Sequence, residues 1–462
     1  MTAELFNIEK ALELSRDDVV RYYKEYLNPA LARMFSLLNF DKQFVRAEGV
    51  KLWDSEGNEY LDFLGGYGAL NMGHNPPAVL AALERVEKMP NILQTSMGTL
   101  ASAAACNLAR IAPGDLKHSF FCNSGTEAVE GAIKTARIAS GRASFIYCSN
   151  SFHGKTMGSL SVTGRNKYQQ PFNPMLPGNR RVPFGDIDAL EHELKNGEHA
   201  AFIVEPIQGE GGVVLPAEGY LKAVRELCDQ YHTYLIIDEI QTGFGRTGAL
   251  FACEEEGVSP DIMCLAKSLG GGVMPVGAFI CRADIWEKAY GGFDKALLHT
   301  STFGGNTRAA AAALTSIYEI VTRDLSTEAR EKGEYLLNKL RELAERYEMI
   351  KEVRGRGLLI GMELRELRGG VADKLSGGLV GKLSHEYLGS MIAGALYNDH
   401  RIITAYTLNN PNVIRFEPPL IISYEEIDYL LEALEKVFEK NKGLLDLAVK
   451  SARDFLGGLF KR

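Results

Sequence analysis

Between about residues 71 and 330, the chain alternates short apolar runs with helix-like segments. This alternation is typical of α/β proteins with a mainly parallel sheet. In open sheets of this kind, ligands bind beyond the carboxyl ends of the strands. We therefore predict a ligand site at the ends of five apolar runs that lead into polar or glycine-rich residues. These runs are 119–122, 145–148, 202–204, 235–237 and 262–265.

Two further regions flank this large domain of residues 71–330. Residues 1–70 begin with helical periodicity and continue into two strand-like runs around a turn signal. Residues 331–462 open with a charged helix, followed by strand candidates at 358–360 and 413–416 and a further helix. We expect this C-terminal part to form a smaller α+β domain, which residues 1–70 join. Residues 365–380, rich in glycine and charge, are predicted to form a loop.

Composition excludes several classes of protein. The net charge is −8, which gives no indication of a nucleic-acid surface. No run approaches 18 uncharged apolar residues, and the N-terminus lacks the features of a signal peptide. The seven cysteines lack C-x-x-C spacing, so we expect free thiols, no metal site and a cytoplasmic location. Residues 444–462 predict an amphipathic helix that docks on the body or on a partner subunit, with membrane contact as the alternative.

The segment IIDEIQTGFGRTG contains a formal G-x-G-x-x-G at residues 243–248, just after an apolar run. Such glycines indicate a dinucleotide site when they open a helix and an acidic residue follows about 20 positions on. Here the stretch after Gly248 is too short to predict that helix. Asp261 has about the right spacing but does not stand at a strand end. An NAD-dependent dehydrogenase is therefore the disfavoured alternative, and Asp238 and Gln241 are the more informative residues.

Two segments place hydroxyl groups beside predicted helix starts. Ser124, Gly125 and Thr126 follow the first apolar run, and Thr302 lies in a glycine-containing segment before an alanine-rich helix. Such residues can simply cap a helix. The same geometry offers free backbone N–H groups and a favourable dipole to a phosphate group. The residues alone leave both interpretations open.

Residues 154–156, Gly-Lys-Thr, resemble the end of a phosphate-binding P-loop. The full pattern needs a glycine five positions before Gly154, where this chain has Ser149, so an ATPase is disfavoured. Phe152 and His153 are instead candidates for a surface on which a planar ligand stacks. Packing of an aromatic ring in the core is the alternative.

Asp238 and Lys267 suggest the chemistry of the site. A buried carboxylate at a strand end needs a partner, and it can either cap the chain or face a cationic ring nitrogen. Lys267 stands between an apolar run and three glycines, and a partly desolvated amine there can act as a Schiff-base nucleophile. A phosphate cradle, an aromatic plane, a carboxylate and a lysine together match the needs of pyridoxal phosphate.

With these residues, the chain resembles the class III pyridoxal-phosphate aminotransferases of fold type I, over about residues 45–435. It is most similar to the putrescine (diamine) aminotransferases, and ornithine and acetylornithine aminotransferases are near relatives. The resemblance implies an α/β fold, with a mainly parallel seven-stranded sheet in the large domain and a smaller α+β domain. The motifs that carry it are NSGTEA, FHGKT, EPIQGEGG, IIDEIQTGFGRTG, LAKSLGGG, STFGGN and IRFEPPL.

The resemblance also implies roles for individual residues. Lys267 is the Schiff-base lysine that then moves the substrate proton, and Asp238 binds the pyridinium nitrogen. Gln241 reaches the phenolic oxygen of the cofactor, and Phe152 stacks on its ring. The full set of implied cofactor-binding residues is Ser124, Gly125, Thr126, Phe152, His153, Glu205, Asp238, Gln241, Lys267 and Thr302.

Substrate and partner follow from the same resemblance. Thr302 contacts the cofactor phosphate of a neighbouring subunit, which implies a homodimer, or a tetramer of paired dimers. Glu210 and Arg415 resemble a pair that switches to admit a dicarboxylate, so 2-oxoglutarate is the expected acceptor. Relatives that bind an amino-acid carboxylate carry arginine where this chain has Lys155, and a lysine lacks the bidentate fork of an arginine. Residues 365–405 look longer than in the putrescine enzymes and could reshape the entrance.

The sequence therefore predicts transfer of the terminal amino group of putrescine or cadaverine to 2-oxoglutarate, which gives an aminoaldehyde and glutamate. Ornithine, acetylornithine or another ω-amino acid remains an alternative donor. A racemase, decarboxylase or aminomutase of the same fold could share every cofactor residue, because fold and cofactor do not fix the reaction.

Overall fold

The N-terminal part of the chain forms three short helices and a strand meander. A computed structural model describes residues 5–195, 197–365 and 379–440, with side chains from residue 388 onward in the last range. Asn7, Ser15 and Asn28 cap the three helices through their side chains, as expected of short polar residues at helix starts. These elements are α1 Ile8–Leu12, α2 Arg16–Tyr22, α3 Pro29–Leu37, β1 Phe44–Glu48, β2 Lys51–Asp54 and β3 Glu59–Asp62.

The middle of the chain forms a seven-stranded sheet flanked by helices. The strands are β4 Leu116–Cys122, β5 Ser144–Cys148, β6 Arg180–Val182, β7 His199–Val204, β8 Tyr234–Asp238, β9 Ile262–Leu265 and β10 Gly277–Arg282. The helices are α4 Gly65–Gly68, α5 Pro77–Arg85, α6 Thr99–Ile111, α7 Gly125–Ser140, α8 Met157–Leu160, α9 Asn166–Gln169, α10 Ile187–Leu194, α11 Tyr220–Gln230, α12 Ala283–Tyr290 and α13 Thr307–Thr322.

The sheet has the order β4-β10-β9-β8-β7-β5-β6. Only β10 runs antiparallel to its neighbours, which confirms the mainly parallel sheet predicted from the sequence. Alternate residues face opposite sides: Phe202 and Val204 belong to one apolar cluster, Ala201 and Ile203 to the other. Both faces of the sheet are therefore buried, as is usual for parallel sheets.

The C-terminal part contributes to two smaller sheets. Its elements are α14 Leu325–Arg346, β11 Ile350–Arg356, β12 Leu359–Leu364, α15 Leu379–His400, β13 Ile402–Ile403, β14 Ala405–Tyr406, β15 Val413–Phe416 and α16 Tyr424–Lys440. One sheet has the order β11-β12-β15-β14, and in the other β13 pairs in parallel with β3 of the N-terminal meander. This pairing supports placing residues 1–70 with the smaller domain, although the domain boundaries stay a prediction.

The glycine-rich segment 243–248 forms successive turns and opens no helix. Within it, Arg246 is fully buried and donates hydrogen bonds to the carbonyl oxygens of Leu358 (2.9 Å) and Pro418 (2.5 Å) and to Asn71 Oδ1 (2.6 Å). Burial lowers the pKa of Arg246 to about 10, while Glu417 is among the carboxylates that oppose this shift. This arginine, for which no role was apparent from the sequence, links the segment after β8 to the C-terminal part of the chain.

Three further sequence predictions concern membrane spans, the segments 365–380 and 444–462, and the cysteines. No helix among the described residues is both long and apolar enough to cross a membrane. Most of the loop predicted at 365–380 and the whole C-terminal amphipathic helix at 444–462 lie outside the described residues. All seven cysteines are free, and six of them are buried.

Candidate active site

The five predicted strand ends meet at one edge of the central sheet. Val204 pairs with Ile237, and Asp238 pairs with Cys264, so the carboxyl ends of β7, β8 and β9 lie side by side. A cleft of about 1150 Å³ opens at this edge. The sequence-predicted residues that line it are Ser124, Gly125, Thr126, Phe152, His153, Lys155, Glu205, Glu210, Asp238, Gln241 and Lys267.

Lys267 lies just beyond β9. Its backbone is in the left-handed region (φ 47°), which is uncommon for a residue with a side chain and is found at strained functional positions. Burial lowers the pKa of its amine, because the charged form loses its hydration. A lower pKa enlarges the fraction of neutral amine, which is the nucleophilic form.

Asp238 ends β8 and is held on both carboxylate oxygens. Its Oδ2 lies 2.7 Å from His153 Nδ1, and its Oδ1 accepts a hydrogen bond from the backbone N–H of Ile240 (3.1 Å). The sequence offered His153 as a stacking residue beside Phe152, but the contact observed for its ring is this one with Asp238. A buried carboxylate fixed in this way can present a steady negative charge to a cationic group in the cleft.

The start of α7 and the loop before α8 form a cluster of hydroxyl groups. Thr126 Oγ1 lies 2.9 Å from Thr156 Oγ1 and 2.7 Å from Ser159 Oγ. Gly154 has a φ of 122°, and a Cβ atom there would stand 2.2 Å from Thr126 Oγ1, so only glycine fits. Ser124 caps α7 by accepting a hydrogen bond from Glu127 N–H. The helix start therefore has an ordinary cap and also faces the cleft.

Glu205 follows β7 and supports the loop that carries Phe152. Its Oε2 accepts a hydrogen bond from Phe152 N–H at 3.0 Å. Burial, and then the nearby charge of Asp238, raise the pKa of Glu205 well above its usual value. The raised pKa favours the protonated form of Glu205.

Glu210 and Arg415 form the ion pair that the resemblance implied. Arg415 Nη1 lies 2.8 Å from Glu210 Oε1, and Arg415 is fully buried. Burial is the largest influence and opposes the charge on both groups. Their mutual attraction, together with Glu417 beside Arg415 and the Leu408 N–H beside Glu210, outweighs it, so the pKa of Arg415 is raised and that of Glu210 is lowered. Glu210 Oε2 also accepts a hydrogen bond from Leu408 N–H (3.0 Å).

The sequence reasoning missed a second carboxylate beside this arginine. Glu417 Oε2 lies 3.6 Å from Arg415 Nε and accepts a hydrogen bond from Gln241 Nε2 at 3.0 Å. The Arg415 guanidinium also lies over the ring of Tyr67, 5.0 Å from its centroid. A carboxylate two residues after Arg415, within an apolar run, was the available signal for Glu417. For Tyr67 we find no comparable signal.

Two predicted residues are not part of the buried cluster around Arg415, although Lys155 lines the same cleft. Lys155 is exposed, and its Nζ stands 5.0 Å from the ring centroid of Tyr168. Thr302 is exposed and is absent from the lining of the cleft of its own chain. Asn306 caps α13, so the interpretation of Thr302 as a helix cap is wrong.

Comparison with known proteins identifies the family. A family model described as "Aminotransferase class-III" matches residues 38–438. The chain belongs to the class III aminotransferases. The fold of this class III aminotransferase is that of pyridoxal-phosphate-dependent enzymes.

Individual relatives of this class III aminotransferase support the assignment. Aminotransferase PigE from Serratia sp. (strain ATCC 39006) is 40% identical over 94% of this chain, which spans only 55% of the length of PigE. The ornithine aminotransferase of Toxoplasma gondii is 32% identical with a TM-score of 0.82, covering 95% of this chain and 100% of its own. The acetylornithine aminotransferase of Elizabethkingia anophelis is also 32% identical with a TM-score of 0.71, covering 87% and 94%.

The cleft of this class III aminotransferase fits pyridoxal phosphate. The cofactor needs an amine of lowered pKa, a carboxylate for its ring nitrogen and donors for its phosphate. Lys267, Asp238 and the start of α7 with Thr126 supply these groups around one cavity. A side chain at Gly154 would collide with Thr126, so this loop can lie close to the start of α7 only with glycine at that position.

Proposed function

We propose that this aminotransferase moves the terminal amino group of a diamine to 2-oxoglutarate. The observation that carries the proposal is one cleft lined by the half-buried Lys267, the Asp238–His153 pair and Glu210, whose ion-pair partner Arg415 is fully buried. The first two suit the cofactor chemistry. The ion pair offers an arginine that could receive a dicarboxylate if Glu210 moved aside.

Each residue has a proposed task in that reaction. When bound, pyridoxal phosphate supplies an aldehyde for amines and a ring that takes up the electron pair released when the substrate loses a proton. Lys267 would receive and return that proton at its Nζ. Asp238, oriented by His153, would hold the ring nitrogen, and Gly125 and Thr126 would hold the phosphate. Gln241, oriented by Glu417, would reach the phenolic oxygen.

Charge around Arg415 supports a donor without a carboxylate. Glu210 and Glu417 both stand within ion-pair distance of this one guanidinium. Two carboxylates against one cation favour a second ammonium group over a carboxylate in the adjacent cleft. Lys155 also supports a donor without a carboxylate, because a lysine cannot hold a carboxylate with two parallel hydrogen bonds.

A panel of amino donors tests the proposed reaction. Purified enzyme with pyridoxal phosphate and 2-oxoglutarate is given putrescine, cadaverine, ornithine, acetylornithine and 4-aminobutyrate, and the glutamate formed is measured. We expect diamines to give the highest kcat/KM. Ornithine is the second candidate, because the Glu210–Arg415 pair and the similarity to ornithine aminotransferases favour it. Failure of every diamine and ω-amino acid to yield glutamate would overturn the proposal.

Replacing Lys155 by arginine should shift the preference toward amino-acid donors. The guanidinium restores a bidentate partner for a substrate carboxylate, worth about 1 to 2 kcal/mol for a charge-assisted contact, or roughly a tenfold lower KM. Steady-state kinetics with ornithine and putrescine on both enzymes measure the shift. Putrescine kinetics should change little and serve as the internal control. An equal change in KM for ornithine and putrescine would show that residue 155 does not contact the substrate carboxylate.

We further propose a homodimer in which Thr302 reaches the cofactor phosphate of the partner. Large apolar side chains near Thr302 are exposed in the single chain, including Phe293, Leu297 and Phe303. A second apolar stretch, with Leu93 and Met97, is exposed as well. Exposed apolar segments of this extent usually mark an interaction surface. For location, we propose the cytoplasm, which the free thiols support.

A further inference from the structure

The helix α3 turns its apolar side toward the cleft. Leu31, Met34, Phe35 and Leu38 follow the spacing i, i+3, i+4 and i+7, which places them on one side of a helix. All four line the cleft, whereas only Ala32 of α3 is buried. A surface helix normally packs such a stripe against a core. Here the stripe faces open space that is continuous with Lys267.

Aromatic side chains from other elements extend this apolar wall. Phe40 follows α3, and its ring centroid lies 4.9 Å from that of Tyr397 on α15. Both residues line the same cavity as the α3 stripe. We call the space bounded by Leu31, Met34, Phe35, Leu38, Phe40 and Tyr397 the outer chamber. Its six boundary residues include no charged side chain.

The apolar chemistry of the outer chamber differs from what a short diamine needs. The cavity of about 1150 Å³ has to hold pyridoxal phosphate as well as the amino donor, so the apolar walls of the outer chamber, and not the total volume, indicate what binds there. A short diamine whose second ammonium stays near Glu210 leaves the apolar walls of the outer chamber in contact with water, which is unfavourable. A hydrocarbon chain in the same place would remove apolar surface from water on both sides.

We propose that the outer chamber binds the hydrocarbon chain of the amino donor. The enzyme then accepts primary amines with an extended apolar chain, whose amine reacts at Lys267 while the chain lies along α3. The inference rests on the proposed transamination, because the amine must reach Lys267. It does not depend on a diamine being the preferred donor.

A chain-length series with the holoenzyme tests the chamber. Single-turnover conversion of the bound cofactor by n-butylamine, n-hexylamine, n-octylamine and n-decylamine is followed by absorbance, so that no acceptor is needed. We expect kcat/KM to rise up to about fourfold for each added methylene that the chamber covers, as burial of one CH₂ predicts. A flat series in the unaltered enzyme would overturn the proposal.

Two substitutions on α3 form a matched pair. Met34 and Leu37 are each 40% exposed, but only Met34 lines the cleft. Met34→Asn should reduce the rate with n-octylamine about tenfold and leave n-butylamine nearly unchanged. Leu37→Asn should change neither rate. Phe35→Asn, at a more buried position of the stripe, should reduce the rate with n-octylamine further. Equal effects of Met34→Asn and Leu37→Asn would show that the stripe does not contact the substrate.

Two further measurements separate the possible failures. If no amine converts the cofactor, the proposed transamination fails, and the chamber is then tested with 1-octanol and 1-butanol by calorimetry. Tighter binding of 1-octanol that Met34→Asn removes and Leu37→Asn keeps supports the chamber, whereas equal binding of both alcohols refutes it. Light scattering tests whether a second copy of the chain, instead of the substrate, covers the stripe on α3. A smaller oligomer for Met34→Asn than for Leu37→Asn would mean that a second copy covers the stripe, which overturns the proposal.

Discussion

Replacing Lys267 by alanine should abolish transamination. The methyl group can neither bond to the cofactor aldehyde nor move the substrate proton, so we expect a loss of at least about 10⁴-fold. The fold should persist, because removal of a buried amine also removes the cost of its desolvation. Turnover is measured with the preferred donor, and absorbance with pyridoxal phosphate shows whether the covalent link forms.

A second lysine provides the control for this substitution. Lys288 is exposed on α12 and lies outside the lining of the cleft. Lys288→Ala should keep the turnover and absorbance of the unaltered enzyme. Full turnover by Lys267→Ala would contradict the assignment of the reacting amine and with it the proposed mechanism.

Replacing Asp238 by asparagine should lower kcat about a hundredfold or more. The amide keeps the size of the side chain but removes the negative charge that would face the ring nitrogen while charge develops there. Cofactor affinity, measured by fluorescence titration, should fall as well. The two readouts separate weaker binding from slower chemistry, because kcat is taken at saturating pyridoxal phosphate.

The partner of Asp238 gives a graded comparison. His153 Nδ1 lies 2.7 Å from the Asp238 carboxylate. His153→Gln keeps a side chain that can donate a hydrogen bond but changes the direction of that bond. Its kcat should lie between those of the unaltered enzyme and Asp238→Asn. The role of Asp238 would be refuted if Asp238→Asn kept more than about a tenth of the original kcat at full cofactor occupancy.

The sheet edge could be predicted because its signals are local. Each apolar run can be recognised from a few consecutive residues, and parallel strands bring their carboxyl ends to one edge of the sheet. Asp238 and Lys267 stand at or just beyond two such ends, so their meeting follows from topology alone. The position of Thr126, in the first turn of α7, follows from the same topology.

The remaining features depend on contacts between distant parts of the chain. Glu417 meets Gln241 across 176 residues, and no local pattern specifies which carboxylate will stand beside Arg415. His153 was a candidate for a stacking surface, and its ring contacts Asp238, which is 85 residues away in the sequence. The stripe on α3 was visible as helical periodicity, but periodicity does not say whether a stripe faces a core or a cavity.

Arg246 also limits how this enzyme could be re-engineered. Two of its three acceptors are backbone carbonyl oxygens, at Leu358 and Pro418. Any amino acid supplies such an oxygen, so side chains at these positions can change without removing the acceptor. A one-residue insertion or deletion near Leu358 or Pro418 would displace the carbonyl oxygen and leave the buried guanidinium of Arg246 without that acceptor. A graft of the C-terminal part from a relative must therefore preserve the path of the main chain more strictly than its sequence.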